Sequence, residues 1–359
     1  MLKARQSVID LQEYRPPLGD RRSLLRLDFN ENTVGASARV LQRLREFDPE
    51  DLARYPDRAP AESQAAEFFR LRPEEVLLTN GVDEAIHLLS ETYLEPGDDA
   101  LVVVPTFAMH ELSLLATGAR LVRVPAKQDF AFPVEEVLAG LNERTGAVVI
   151  ANPNNPTGQA VSRADLLRII DAAPQAAILV DEAYFEFFGE TLLDQIGRSP
   201  NLFVARTFSK AYGLAGLRMG ALLGAEVQLR MVRRLASPYN VNAAALACLP
   251  VALADQEYVA RYVDEVRAGR ERLQNTLRDL GLRYWPSQAN FVLVDLGSQH
   301  GAFVQAMRDR EILVRDRSSD PGCNGCVRIT VGSVEHTDKL LSAIAGTLAQ
   351  IGRRTEARA

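Results

Sequence analysis

Between residues 75 and 225 the chain alternates short, nearly unbroken apolar runs with longer stretches whose apolar positions recur every three to four residues. The runs cover 75–79, 100–104, 120–124, 147–151, 177–181, 202–207 and 219–223. Continuous rather than alternating apolar character marks strands buried on both faces, as in a mostly parallel sheet. The amphipathic stretches between them, 82–93 and 163–172 among others, provide helices to cover it. The pattern predicts an α/β fold: a large domain, 41–245, built on a mostly parallel seven-stranded sheet with helices on both faces. Past residue 245 the character changes. A long helical repeat, 256–280, precedes isolated strands at 290–295 and 327–331 and helical repeats at 300–310 and 336–352. This reads as a smaller α+β domain, 246–359, with residues 1–40 forming an arm and part of that domain.

A chain of 359 residues, 47% hydrophobic, has ample length for such a core. The net charge is −6 and Lys and Arg form no block, so nucleic acid is not an expected partner. The first residues, MLKARQS, lack the apolar core of a signal peptide, and no run approaches the roughly 20 apolar residues of a membrane helix. A cytoplasmic protein without a membrane partner is expected. Three cysteines, Cys248, Cys323 and Cys326, are too few for a disulfide framework. Cys323 and Cys326 form a lone CxxC without a second ligand pair, and His87, His110, His300 and His336 are scattered, so no metal is expected.

Chemically useful residues gather where the expected strands end, which is where open α/β sheets bind ligands. Thr79-Asn80-Gly81-Val82-Asp83 joins a strand to a helix whose first N–H groups lack partners, a plausible anion cradle. Asn152-Pro153-Asn154-Asn155-Pro156-Thr157-Gly158 follows the strand ending at Ala151; its prolines stiffen the loop, and two X-Pro bonds admit a cis peptide. By composition alone the first segment is an ordinary strand-to-helix turn and the second an ordinary turn. Asp181-Glu182-Ala183-Tyr184 puts a carboxylate at the end of a buried strand, where it needs a cation or hydrogen-bond donors; a helix cap is the plainer alternative. Thr207-Phe208-Ser209-Lys210, followed by Gly213, Gly216 and Arg218, places a lysine where desolvation would lower its pKa and make it a nucleophile and base.

Taken together and in this order, NPNNPTG, DEAY, TFSK and GLAGLRMG resemble the class I/II aminotransferases of fold type I, enzymes that use pyridoxal 5′-phosphate, over most of the chain. The resemblance implies that Lys210 bonds covalently to the cofactor, that Asp181 pairs with its ring nitrogen, and that Tyr184 and Asn155 hydrogen-bond its 3-oxygen. It implies that Gly81, Val82 and Asp83, with Thr207, Ser209 and Arg218, hold the phosphate, and that Phe107 stacks on the ring. Tyr55 resembles the tyrosine that reaches the cofactor phosphate of a neighbouring subunit, which implies a homodimer with shared active sites. Within the class, Leu27-Asp28-Phe29-Asn30-Glu31-Asn32, Ser287-Gln288-Ala289-Asn290-Phe291, Arg315-Asp316-Arg317 and Gly325-Cys326-Val327-Arg328-Ile329-Thr330-Val331-Gly332 are most similar to the histidinol-phosphate aminotransferases. The resemblance then implies Tyr14, Asn155, Arg315 and Arg328 as substrate-binding residues. Its small-molecule partners are an amino donor carrying a phosphate and 2-oxoglutarate. Phe107, where that subfamily often has tyrosine, and the segment 237–242 depart from its pattern. An aromatic or broad-range aminotransferase and a decarboxylase of phosphorylated amino acids are the alternatives within the same chemistry.

Overall fold

The computed structural model describes residues 2–13 and 21–356. Among these the chain forms twelve strands: β1 (Leu25–Leu27), β2 (Val76–Asn80), β3 (Asp99–Val104), β4 (Arg120–Pro125), β5 (Thr145–Ala151), β6 (Ala177–Asp181), β7 (Leu202–Thr207), β8 (Met219–Gly224), β9 (Arg283–Trp285), β10 (Phe291–Asp295), β11 (Ile312–Asp316) and β12 (Cys326–Thr330). They divide into two sheets. The larger has seven strands in the order β2-β8-β7-β6-β5-β3-β4, with β8 alone running against its neighbours. The smaller has five, in the order β1-β11-β12-β10-β9, antiparallel except for the β1–β11 pair.

The unbroken apolar runs of the larger sheet are accounted for by its two covered faces. Alternate side chains of one strand enter different cores: Val148 and Ile150 pack into one cluster and Ala147 and Val149 into another, as Ile178 and Val180 separate from Ala177 and Leu179. The helix Arg163–Ala172 contributes Leu166, Ile169 and Ile170 to the first cluster. The helix Gly81–Tyr93 contributes Val82, Ala85, Ile86 and Leu89 to the second. At roughly 25 cal/mol per Å² of apolar surface, two such interfaces dominate the stabilisation of this part of the chain.

The smaller sheet collects distant segments. β1 comes from the N-terminal residues and pairs with β11, so the segment after it, 28–33, is led across the molecule toward the edge of the larger sheet. The helix Gln256–Asp279 buries Val259, Val263, Val266, Leu273 and Leu277 against this side. Strands β1, β9 and β11 have no counterpart among the sequence expectations. Two are only three residues long, too short for a periodicity to declare itself. Cys248, Cys323 and Cys326 are buried free thiols, and no cluster of three or more metal-ligating side chains occurs among the described residues. No described helix is long and apolar enough to cross a membrane.

Candidate active site

Strand direction alone brings the chemical segments together. β2, β3, β5, β6 and β7 point the same way, so Asn80, Val104, Ala151, Asp181 and Thr207 end at one edge of the larger sheet. β8 runs the other way and starts at that edge: Met219, next to Arg218, pairs with Asn80, and Gly220 pairs with Thr207.

Asp181 closes β6, 5% exposed. Its Oδ1 accepts from the Ala183 N–H at 3.0 Å and its Oδ2 lies 3.0 Å from His110 Nε2. His110 is fully buried on the helix Ala108–Ala116, and its Nδ1 stands 3.3 Å from Thr106 Oγ1. Thr106 donates in turn to Asn154 Oδ1 at 2.9 Å. Glu182, one residue on from Asp181, points away and pairs with buried Arg206 at 2.8 Å, so the two adjacent carboxylates serve opposite sides of the strand end. Phe107 caps the start of the His110 helix with its ring edge-on to the imidazole, centroids 5.6 Å apart.

Lys210 follows β7 by three residues. Its Nζ donates to the carbonyl of Phe29 at 3.0 Å, and among the described residues no carboxylate is in hydrogen-bond contact with it. Burial, reinforced by the positive charge of Arg328, lowers the lysine from its ordinary 10.5 to about 8. The Asp83 carboxyl ties these groups together electrostatically. Burial raises it, Arg218 pulls it down, and the charges of Asp181, Lys210 and His110 all reach it. Lys210 and Asp181 therefore share one site.

The anion cradle forms at the start of the helix Gly81–Tyr93. Gly81 has φ +76°, and a Cβ there would stand 2.4 Å from Arg218 Nη2. The left-handed backbone favours glycine there, and any side chain would also have to displace the guanidinium of Arg218. Arg218 pairs with the Asp83 carboxylate at 3.1 Å, and the N–H groups of Val82 and Asp83, in the first turn of the helix, have no intrahelical acceptor. Thr207 and Ser209 are buried alongside, the Ser209 N–H bonded to Thr207 Oγ1 at 3.2 Å.

The third wall comes from the smaller sheet and the arm. Asn30 Nδ2 donates to the Tyr184 hydroxyl at 2.9 Å, and burial raises the Tyr184 pKa. Arg328, in the middle of β12 and 4% exposed, donates to Asn155 Oδ1 and to the Asp28 carbonyl. Arg315 on β11 lies directly opposite Arg328 in the sheet register. Burial raises the Asp320 carboxyl, and the charges of both arginines reach it and pull it down. Arg315 also stands over the Phe29 ring at 5.7 Å, and Arg21 over the same ring at 4.0 Å while pairing with Asp28 at 2.6 Å. The loop 152–158, with cis bonds at Asn152–Pro153 and Asn155–Pro156, is held against the smaller sheet. Gln288 N–H bonds to the Gly158 carbonyl at 2.8 Å, and a side chain at Gly158 would collide with Ser287.

The sequence-derived residues Gly81, Val82, Asp83, Phe107, Asn155, Asp181, Tyr184, Thr207, Ser209, Lys210, Arg218, Arg315 and Arg328 thus line one cleft or its immediate rim. Tyr55 is elsewhere: it is 80% exposed on the surface, stacked on Tyr239 with centroids 4.4 Å apart. Tyr14 lies outside the described residues. Sequence reasoning missed His110, Asn30, Thr330 and Arg21. The helical interval from Phe107 to His110 was a usable signal for the first; the others join the site only through contacts 154 or more residues distant in sequence, or through an aromatic ring of the arm.

A family model described as aminotransferase class I and II matches residues 22–344. Histidinol-phosphate aminotransferase 2 of Pseudomonas fluorescens is 36% identical over 338 residues, covering 92% of this chain and 90% of that protein. Histidinol-phosphate aminotransferase of Roseiflexus castenholzii is 38% identical over 333 residues, covering 89% of each. Among solved structures, histidinol-phosphate aminotransferase from Sinorhizobium meliloti in complex with pyridoxal-5′-phosphate superposes with a TM-score of 0.87 at 25% identity, covering 98% of this chain and 99% of that one.

Proposed function

The chain belongs to aminotransferase class I and II, and from that premise we propose that it uses pyridoxal 5′-phosphate to transfer the amino group of L-histidinol phosphate to 2-oxoglutarate, yielding 3-(imidazol-4-yl)-2-oxopropyl phosphate and L-glutamate in histidine biosynthesis. The observation that carries the reading is the half-buried Lys210, lowered to about 8, beside an Asp181 held by His110 and an anion cradle whose first residue, Gly81, has a left-handed backbone.

The donor set fits the cofactor. The N–H groups of Gly81, Val82 and Asp83, with Thr207, Ser209 and Arg218, would hold its phosphate. Asp181 would take the ring nitrogen, Phe107 one face of the ring, Tyr184 and Asn155 the 3-oxygen, and Lys210 the aldehyde. When bound, the cofactor supplies an electron sink that stabilises negative charge at the substrate carbon bearing the amine. Asp181 would present its carboxylate to the ring nitrogen, fixed from behind by His110 and Ala183 so that it does not have to reorient. Lys210 Nζ, a free amine in a useful fraction near neutral pH, would take the proton from that carbon of the amino donor and, in the second half-reaction, give one to the corresponding carbon of 2-oxoglutarate.

Arg328 anchors the substrate, assisted by Arg315. The phosphate of the amino donor and a carboxylate of 2-oxoglutarate must occupy one place in turn, and a guanidinium fork accepts either through paired hydrogen bonds. In this reading the large domain, 41–245, holds the cofactor, while the small domain, 246–359, and the arm, 1–40, close over the substrate. Two such chains form a homodimer, in which the exposed Tyr55 reaches the partner's cofactor phosphate. An amino-donor screen of the purified protein with 2-oxoglutarate tests the proposal. Histidinol phosphate is expected to give the highest kcat/KM, and Lys210→Ala to abolish turnover. A preference for phenylalanine, or carbon dioxide released from a phosphorylated amino acid, would replace the substrate assignment.

A further inference from the structure

Asn30 is 1% exposed, adopts φ +55°, and has every polar atom engaged. Its N–H donates to Thr330 Oγ1 at 3.1 Å, and its carbonyl accepts from Asn290 Nδ2 at 3.1 Å. Its side-chain Oδ1 accepts from the Thr330 hydroxyl at 3.0 Å, and its Nδ2 donates to the Tyr184 hydroxyl at 2.9 Å. A hydroxyl has one proton to give. Thr330 already accepts from the Asn30 N–H, and its own proton finds its acceptor in Oδ1. Turning the amide over would set Nδ2 against Thr330 and leave that hydroxyl proton without an acceptor among the described residues, at a fully buried position.

The hydrogen-bond balance thus fixes the direction of the whole chain: Thr330 gives to Asn30, and Asn30 gives to Tyr184. We propose that Asn30, locked by Thr330, is a positioning residue that compels Tyr184 to act as a proton donor into the cleft. Tyr184 accepts from Asn30, and among the described residues nothing on the protein side takes its proton. That proton is directed toward the site where the charges of Asp181 and Arg328 also reach the phenol. A hydroxyl that accepts one bond also donates the next more strongly. The inference rests on the reading of Tyr184 as partner of the cofactor's 3-oxygen. It adds that the strength and direction of that contact are set from the arm and from β12, not by Tyr184 itself. The left-handed backbone at residue 30 belongs to the same device: asparagine tolerates it better than other residues with a side chain, and also supplies the amide.

The test is a pH titration of the visible absorption of the cofactor-loaded protein. Donation to the 3-oxygen favours its negative charge and so lowers the titration midpoint. Asn30→Asp keeps the shape but offers only acceptors when ionised, so Tyr184 would turn its proton toward residue 30. The midpoint is expected to rise by about one pH unit, a tenfold change of the size one hydrogen bond to a charged group supplies. Asn30→Ala and Thr330→Val are expected to raise it by less. Placed in a Tyr184→Phe background, the Ala and Val substitutions should add nothing further. Equal shifts in both backgrounds, or no shift in either, would overturn the relay. Tyr184→Phe is itself expected to raise the midpoint; if it did not, the assignment of Tyr184 to the cofactor would fall, and the relay with it. Should Asn30→Ala not fold, Thr330→Val alone completes the comparison.

Discussion

Replacing Lys210 with methionine isolates the most consequential electrostatic feature of the cleft. Below about pH 8 the lysine is protonated in both folded and unfolded chains, and the folded chain carries a desolvated ammonium. A fall from 10.5 to about 8, roughly 2.5 pH units, corresponds to about 3 kcal/mol of penalty. Between about 8 and 10.5 the folded lysine has lost its proton while the unfolded one keeps it, so the penalty fades as pH rises; above 10.5 it is gone. Methionine matches the length of the side chain without the charge but forfeits the bond to the Phe29 carbonyl, a loss of about 1 kcal/mol. Cofactor-free Lys210→Met is therefore expected to be more stable than the parent by about 2 kcal/mol at pH 7, and less stable by about 1 kcal/mol near pH 11. Urea unfolding of both proteins at matched concentration, from pH 6.5 to 11, reads the difference and cancels the other groups that titrate in this range. A stability difference that does not vary with pH would refute the burial of charge at Lys210, and with it the lowered pKa on which the proposed role of this amine rests.

Gly81→Ala sets a methyl group at a backbone φ of +76° and pushes the Arg218 guanidinium aside; the strain of about 1–2 kcal/mol should lower stability, and the displaced cation should weaken pyridoxal phosphate binding about tenfold, read by fluorescence titration. Arg328→Lys replaces a fork by a point charge and is expected to lower kcat/KM about 10- to 100-fold in both half-reactions, measured separately by stopped-flow absorbance; a loss confined to one half-reaction would separate the two anion sites. At limiting cofactor, mixed dimers of Lys210→Ala and Tyr55→Phe chains should be more active per intact lysine than the Tyr55→Phe dimer, because the lysine-bearing site then receives an unaltered Tyr55; equal activity per lysine would place Tyr55 outside the site.

The larger sheet was legible in the chain because a strand covered on both faces must be apolar throughout, and Ala177–Asp181 and Leu202–Thr207 begin and end where the apolar runs do. The convergence of Asp181, Lys210 and the Gly81 turn was legible for a related reason: they sit at or within three residues of the ends of those runs, where strand polarity forces neighbouring ends to converge. The smaller sheet was less so. Ile312–Asp316 and the three-residue β1 and β9 acquire strand character only through partners far away in sequence.

The sequence by itself thus determined the fold class and the order in which Gly81, Asp181 and Lys210 follow their strands, because each depends on residue type and on position along one strand–turn–helix unit. Tertiary structure alone decided that Phe29 would cap Lys210, that His110 would stand behind Asp181, and that Thr330, 300 residues from Asn30, would set the direction of a bond to Tyr184. Those contacts depend on how two sheets and an arm close on one another, and no local pattern of apolar and polar positions encodes a distance between segments that meet only in the folded chain.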